Sequence, residues 1–115
     1  MADYKGTERR RAQRTKLVTF CPTTFSYKDS RYRALMRDVS ELGAGFKIEH
    51  SDEELVLEPN DEVAFNIKTP YGDSQCKGRI VWSRHFDETY SWGVQFTEIS
   101  QDEKDPLRCL MDSPF

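Results

Sequence analysis

The strongest constraint on the fold is a strict alternation of apolar and polar side chains near the end of the chain. Over residues 90–97 every second residue is large and apolar: Tyr90, Trp92, Val94 and Phe96. The residues between them are polar or small: Ser91, Gly93, Gln95 and Thr97. Because strand side chains point alternately to opposite faces of a sheet, a period of two predicts a strand with one face in a core.

Five further segments show the same alternation and are bounded by turn-forming residues. They cover residues 17–25, 31–39 and 46–49 and two segments that follow turns at residues 58–61 and 70–73. Pro22 cannot donate a backbone hydrogen bond and is therefore expected at an edge, a bulge or a strand end. Gly43 and Gly45 separate the second segment from the third. The fourth segment predicts three core residues: Val63, Phe65 and Ile67.

The fifth segment predicts one apolar face and one polar face. The apolar face would hold Cys76, Ile80 and Trp82, and the polar face Lys77, Arg79 and Ser83. Gly78 interrupts the segment and predicts a bulge.

Six short strands without an amphipathic helix between them predict an antiparallel barrel or sandwich. A helix is expected only near the C-terminus, where two starts compete. Ser100 and Glu103 form a capping-box pattern, whereas Asp105 and Pro106 suit the N-cap and the first helical position. Because a proline is unfavourable inside a helix, we favour a short helix over residues 106–111.

Length and charge bound the domain organisation and the kind of ligand. The 115 residues fit one domain, so we expect a flexible tail over residues 1–8 and a single domain over residues 9–115. Residues 1–47 contain 11 Lys and Arg against 5 Asp and Glu, whereas residues 48–115 contain 6 against 15. An anionic ligand is therefore expected to bind the N-terminal half.

Composition also disfavours several classes of function. A pI near 5.4 disfavours a nucleic-acid polymer as partner, because most of the surface would repel a long polyanion. No apolar segment suits a membrane span or a secretory signal, so we expect a cytoplasmic protein. Three cysteines without a CxxC pair predict reduced, mostly buried thiols. With no metal-ligand spacing and no catalytic motif, we expect neither an enzyme nor a metal or cofactor site.

Four arginines lie within six positions near the N-terminus: Arg9, Arg10, Arg11 and Arg14. Each guanidinium can hold a phosphate with two hydrogen bonds, pair with guanine O6 and N7, or stack on a base. Taken alone, such a cluster is more typical of a solvated basic tail.

A second motif stands where the second predicted strand turns into the third. It contains Asp38, Ser40 and Gly43, followed by Gly45. Asp38 and Ser40 alternate onto one face, so Asp38 could accept from guanine N–H groups while Ser40 donates or accepts. Gly43 permits a tight turn or a close approach of the backbone. An ordinary Asx or Ser turn would show the same residues.

In this order and spacing, the Arg-x-x-x-Arg of residues 10–14 and the Asp-x-Ser-x-x-Gly of residues 38–43 resemble the motifs of the PilZ family of bacterial cyclic di-GMP receptors. Residues 78–82 and 93–96 look like the family's last two strands, so the resemblance covers nearly the whole chain. It implies an all-β fold, a six-stranded antiparallel β-barrel with a short C-terminal helix.

The resemblance also implies a set of ligand contacts: Arg10, Arg14, Asp38, Ser40 and Gly43. The arginines would hold phosphates and guanine edges, and the other three residues would surround a guanine. Arg9 precedes the motif, a position that accompanies an intercalated pair of ligand molecules in this family. Arg11 and Gly45 are further candidates. Trp82 resembles an aromatic residue that some members place beside the ligand, although its alternation with Cys76 and Ile80 fits the core equally well.

The expected function is that of a cyclic di-GMP receptor or adaptor that changes conformation and signals to an unidentified downstream protein. The family serves motility, surface polysaccharide and biofilm control. One alternative is a ligand-independent interaction adaptor that docks a partner through the acidic C-terminal half. Another is non-specific nucleic-acid binding by the arginine tail, which a steep salt dependence would reveal.

Overall fold

The alternating segments form strands in the computed structural model, which describes residues 14–49 and 55–113. The strands are β1 (Thr15–Tyr27), β2 (Ser30–Val39), β3 (Gly43–Glu49), β4 (Glu62–Thr69), β5 (Gly72–Phe86) and β6 (Thr89–Glu98). They pair antiparallel in a closed barrel with the order β1-β2-β3-β6-β5-β4. The helix α1 (Gln101–Asp112) follows β6. The predicted six-stranded antiparallel barrel with a C-terminal helix is confirmed.

The inward side chains form an aromatic core, because alternation along β1, β3, β4 and β6 places a large aromatic residue of each strand at the barrel centre. The rings of Phe46 and Phe65 stack with centroids 4.7 Å apart, and Phe25 meets Trp92 edge-on at 5.2 Å. Most of the predicted core residues of β4 and β6 are buried: Val63, Phe65, Ile67, Tyr90, Trp92 and Val94. Phe96, predicted on the same face of β6, is only partly buried against the core. Each of the buried side chains contributes roughly 1.5–3 kcal/mol by burial. The cluster therefore ties β1, β3, β4 and β6 together across the barrel.

A bulge in β5 corrects the predicted orientation of Trp82. Its register with β6 shifts between Ile80 and Trp82, which inserts an extra residue and breaks the alternation. Trp82 therefore does not share the buried face of Cys76 and Ile80, and 37% of it is exposed. Ser83, predicted on the outer face, is half-buried and donates a hydrogen bond to the Leu57 carbonyl at 3.2 Å.

The glycines and Pro22 lie at the starts, ends or irregular points of the strand ladders. Gly43 and Gly45 belong to β3 itself rather than to the connection before it, so β3 begins earlier than predicted. Gly78 marks a register shift, as predicted. Pro22 pairs with Leu35 of β2, one residue before the pairing of β1 with β4 begins. The proline thus stands at the end of the β1–β4 ladder.

The helix begins five residues earlier than the favoured prediction of residues 106–111. Ser100 is the N-cap and accepts a hydrogen bond from the Glu103 backbone N–H at 3.4 Å, so the alternative start at Ser100 is correct. Glu103 Oε1 accepts from the Gln75 backbone N–H at 2.6 Å, so this side chain binds β5 instead of completing a capping box. Pro106 lies inside the helix and removes one backbone hydrogen bond. This loss is offset by tertiary contacts, since Ser74 Oγ on β5 donates to the Glu103 carbonyl at 2.5 Å. Such an anchor joins distant segments and cannot be deduced from local sequence.

Candidate functional site

Four paired residues form a row across the outer face of the barrel. Asp38 on β2 pairs with Gly45 on β3, which pairs with Gly93 on β6. Gly93 in turn pairs with Trp82 on β5. Neighbouring strands lie about 4.8 Å apart, so the backbones of Asp38 and Trp82 are roughly 14 Å apart along this row. We call the surface of Gly45 and Gly93 the glycine floor.

The side chains at the two ends of the row fold over the glycine floor. A Cβ atom on Gly45 would lie 2.8 Å from both carboxylate oxygens of Asp38. A Cβ atom on Gly93 would lie 2.3 Å from Trp82 Nε1. Both positions therefore require glycine if the carboxylate and the indole are to keep these places. The Asp38 carboxylate thus covers one end of the floor, and the Trp82 indole covers the other.

The Asp38 carboxylate is fixed by two arginines. Arg14 Nη1 donates to Asp38 Oδ1 at 2.5 Å, and Arg37 Nε lies 3.7 Å from Oδ2. The Asp38 side chain is only 11% exposed, whereas that of Arg14 is 45% exposed. Since a guanidinium has five N–H donors, Arg14 can bond Asp38 and still offer donors to an anion on the surface. The pairing of Lys16 with Asp38 explains this contact, because it brings the start of β1 beside the end of β2.

Ser40 and Gly43 build the turn that leads from β2 into β3. The Ser40 backbone N–H donates to the Gly43 carbonyl at 2.8 Å, and Ser40 Oγ accepts from the N–H groups of Leu42 and Gly43 at 3.3 and 3.2 Å. A Cβ atom on Gly43 would lie 2.0 Å from the Val94 carbonyl oxygen. The motif's serine and glycine thus hold the turn in shape and pack its backbone against β6.

A cleft of about 230 Å³ joins this turn to the glycine floor. Its lining comes from both motifs and from β5 and β6: Arg14, Ser40, Leu42, Gly43, Val81, Trp82, Gly93, Val94 and Gln95. Leu42 and Val81 are each 55% exposed and give the cleft an apolar rim. Larger clefts of about 700 and 610 Å³ lie elsewhere on the barrel, and their linings include none of the motif residues that the structure describes.

The structure brings together every candidate residue that it describes: Arg14, Asp38, Ser40, Gly43, Gly45 and Trp82. Arg9, Arg10 and Arg11 lie outside the described residues, as does the tail predicted over residues 1–8. Sequence reasoning missed Gly93, Leu42 and Gln95. A signal for Gly93 was present, because a glycine inside a regular strand often marks a close approach of another group.

A comparison with models of known protein families tests the resemblance that the two motifs indicate. The model of the PilZ domain matches residues 8–113 of the chain. The chain belongs to the PilZ family. A search of curated protein sequences gives no match.

Solved structures of other PilZ proteins share the barrel at low sequence identity. The PilZ domain of YcgR from Escherichia coli with c-di-GMP has a TM-score of 0.73 at 18% identity, over 91% of this chain and 90% of that one. The Bacillus subtilis inhibitor of motility MotI/DgrA has a TM-score of 0.73 at 14% identity, over 90% of this chain and 50% of that one. The MrkH–c-di-GMP complex of K. pneumonia has a TM-score of 0.68 at 17% identity, over 90% and 50%. The chain therefore spans about half the length of MotI/DgrA and MrkH, and the likeness establishes the fold.

Two searches of the described residues give negative results. No helix among them is long and apolar enough to cross a membrane. Within the same part of the chain, no group of three or more His, Cys, Asp or Glu side chains is arranged to hold a metal ion.

Proposed function

We propose that this PilZ protein is a receptor for cyclic di-GMP that binds the ligand over the glycine floor and signals to a partner protein. One observation carries the proposal: Arg14 of the first motif bonds Asp38 of the second beside an exposed Trp82. The c-di-GMP complexes of two relatives, the PilZ domain of YcgR and MrkH, support it. In this role the chain binds a second messenger in the cytoplasm, does not catalyse a reaction and needs no other cofactor.

The chemistry of cyclic di-GMP suits the two ends of the floor. The ligand carries two phosphates and two guanines, and a guanine presents N–H donors on one edge and the acceptors O6 and N7 on another. Asp38 would accept from the N–H edge, while Arg14 and Arg10 would bond phosphates and the O6 and N7 edge. The Trp82 indole, which covers Gly93, would stack against a guanine on its exposed side.

Ser40, Gly43 and Gly45 support the site mainly through geometry. Ser40 and Gly43 fix the turn beside the ligand, and Gly45 leaves room for the Asp38 carboxylate. Arg9 and Arg11 would add charge next to Arg10, and Arg9 would favour a pair of stacked ligand molecules. Charge-assisted hydrogen bonds contribute about 1.5–3 kcal/mol each before ordering costs, so several of them are compatible with micromolar affinity.

Signalling would follow from the position of the arginines on the chain. Residues 9–14 immediately precede β1, whereas Asp38 and the turn belong to the barrel. A ligand held by both would fix the arginine segment against the barrel surface. A partner protein could then distinguish the two states by the surface that residues 9–14 present.

Calorimetric titration of cyclic di-GMP into the full chain tests the proposal. Wild type is expected to bind, while Arg10→Ala, Arg14→Ala and Asp38→Ala each weaken binding at least about tenfold. Arg31→Ala is the matched control, because Arg31 is an exposed arginine of β2 outside the cleft. The stoichiometry of the titration separates one ligand from two.

Two results would refute the assignment. Folded wild type that gives no binding heat with cyclic di-GMP would rule out the receptor function. Equal binding by wild type and all three variants would place the ligand elsewhere. A titration with cyclic di-AMP adds a test of Asp38, because adenine lacks the N–H pair that a carboxylate can accept from guanine. We expect at least about tenfold weaker binding of cyclic di-AMP.

A further inference from the structure

A second concave surface lies on β1, β2, β3 and β4, beside the ligand site but without its residues. This cleft has a volume of about 610 Å³. Among the residues that the structure describes, its lining contains three cations, Arg33, Lys47 and Lys68, and no carboxylate. The uncharged lining residues are Pro22, Thr23, Thr24, Ala34, Leu35, Ile48 and Asn66. We call it the basic cleft. In a chain of net charge −3, a cleft whose described charged residues are all cations is a local reversal of sign.

Two of the cations are available to a partner. Arg33 and Lys68 are exposed, and neither makes a hydrogen bond or an ion pair with another described residue. The third, Lys47, contributes charge at the cleft wall and lies with its Nζ 5.0 Å from the centroid of the Phe20 ring. Arg33 on β2 and Lys68 on β4 flank β1 on either side, so their strands are roughly 10 Å apart.

The floor between these cations combines the apolar Pro22 and Leu35 with the polar side chain of Thr24. Pro22 on β1 pairs with Leu35 on β2, and Leu35 pairs with Lys47 on β3. The apolar strip continues along β1 through half-buried Phe20 to Val18, which is 87% exposed because β1 carries a bulge here. Exposed apolar residues rimmed by charges are typical of protein interaction surfaces.

A buried, unsatisfied polar atom lies where the basic cleft borders the cleft of about 700 Å³, because Asn66 lines both. Asn66 pairs with Thr24, which pairs with Arg33, so the three form a row across β4, β1 and β2. The Oδ1 atom of Asn66 is buried and has no hydrogen-bond partner. An unsatisfied acceptor of this kind is unfavourable, and rotation of the amide toward a peptide N–H would relieve it.

From these features we infer that the basic cleft binds an acidic segment of a partner protein, with carboxylates on Arg33 and Lys68 and an apolar side chain on Pro22 and Leu35. The concave shape favours a polypeptide segment over a flat anionic membrane. The acidic remainder of the chain opposes a long nucleic acid. Because none of these contacts involves the glycine floor, docking does not require cyclic di-GMP, and the inference stands apart from the proposed ligand site.

Fluorescence anisotropy with a defined peptide tests this inference. The probe is a fluorescein-labelled peptide of repeated Glu-Leu-Glu-Ser, and its charge-reversed counterpart is repeated Lys-Leu-Lys-Ser. We expect the acidic peptide to bind wild type and the basic peptide not to bind. The double variant Arg33→Glu/Lys68→Glu should bind the acidic peptide at least about tenfold more weakly.

The matched control is Lys28→Glu/Lys77→Glu, which changes the net charge equally at exposed positions outside the cleft. It should keep the peptide affinity within about twofold of wild type. Equal weakening by the control would show that only net charge matters and would overturn the inference. So would unchanged binding by the cleft variant, or no binding of the acidic peptide to wild type.

Further measurements test whether a membrane or a second copy of the chain occupies the basic cleft, and whether the cleft is independent of the cyclic di-GMP site. Sedimentation of phosphatidylglycerol vesicles with wild type but not with the cleft variant, without peptide binding, would assign the cleft to a membrane. A wild-type dimer that Arg33→Glu/Lys68→Glu dissociates would assign it to a second copy of the chain. Both results would overturn the inference. Retained cyclic di-GMP binding by the cleft variant would show that it is folded and that the two sites are independent.

Discussion

Arg14 Nη1 donates a hydrogen bond of 2.5 Å to Asp38 Oδ1, although 24 residues separate them along the chain. The antiparallel pairing of β1 and β2 explains the contact, because Thr15 lies opposite Val39. The start of one strand and the end of the next therefore present their side chains to each other. This geometry places the arginine of the first motif on the carboxylate of the second.

The Arg14–Asp38 pair is expected to contribute little to the stability of the barrel. Arg14 is nearly half exposed, and water screens a pair of this kind. A double-mutant cycle with Arg14→Ala, Asp38→Asn and the combined variant should give a coupling energy of about 1 kcal/mol or less in urea unfolding. A coupling energy several times larger would show that the pair stabilises the fold. Weaker ligand binding by Arg14→Ala or Asp38→Ala would then reflect damage to the fold.

Two glycines of β3 should lose different amounts of stability on the same substitution. In Gly43→Ala the new Cβ atom meets the Val94 main-chain oxygen, which can move only if β3 separates from β6. We expect a loss of about 2–4 kcal/mol in the free energy of unfolding. In Gly45→Ala the three atoms nearest to the new Cβ atom all belong to the Asp38 side chain, which can rotate away. This variant should lose no more than about 1 kcal/mol.

The Gly45→Ala variant should also bind cyclic di-GMP more weakly than wild type. Displacement of the Asp38 carboxylate in Gly45→Ala should weaken cyclic di-GMP binding at least about tenfold while the protein stays folded. Urea unfolding and calorimetry on the same samples give both quantities. If Gly45→Ala binds like wild type, the position of the carboxylate over the glycine floor is unimportant for the ligand.

Tryptophan fluorescence should report ligand binding through Trp82 alone. The chain has two tryptophans, of which Trp92 is fully buried and Trp82 is 37% exposed beside the cleft. Cyclic di-GMP should therefore quench Trp82, and Trp82→Phe should abolish the signal while keeping an aromatic ring for stacking. Calorimetry of Trp82→Phe serves as the control and should show binding within a few-fold of wild type. An undiminished quench in this variant would mean that the ligand does not reach Trp82.

Local sequence patterns were sufficient to predict the barrel strands. The inward residues Trp92 and Val94 follow from alternation within one segment, and the turn at residues 58–61 follows from its own residue types. The orientation of Trp82 could not be obtained in this way. It depends on a bulge in the pairing of β5 with β6, and alternation within a single strand does not reveal such a register shift.

In the candidate site, too, some residues could be predicted from local sequence and others depend on strand register. The two motifs indicated Arg14 and Asp38, and the structure places them in contact. Gly45 was a candidate from the sequence, but its place beside Gly93 was not predicted, because the two glycines become neighbours only through the β3–β6 register. A glycine's role here comes from what lies above it on the partner strand, which residue type alone does not reveal.

Thiol reactivity should distinguish the three cysteines. Burial and, to a smaller extent, the charge of Glu103 raise the pKa of Cys76 to about 12, and burial also raises the pKa of Cys21. Cys109 is exposed. Because the thiolate is the reactive form, a thiol reagent at pH 8 should modify only Cys109 in the folded protein. Cys109→Ser should then remain unmodified until urea exposes Cys21 and Cys76. Rapid modification of folded Cys109→Ser would show that the barrel opens around the buried thiols.

The same raised pKa predicts a loss of stability in alkali. An unfolded thiol ionises near pH 9, whereas Cys76 in the barrel stays protonated up to about pH 12. Its contribution is therefore complete below pH 9 and is lost progressively as the pH rises from 9 toward 12. Urea unfolding at pH 8 and pH 10.5 should show a smaller alkaline loss for Cys76→Ala than for wild type, since every other titrating group is common to both. An equal loss in the two proteins would mean that the Cys76 thiol ionises as readily in the barrel as in the unfolded chain.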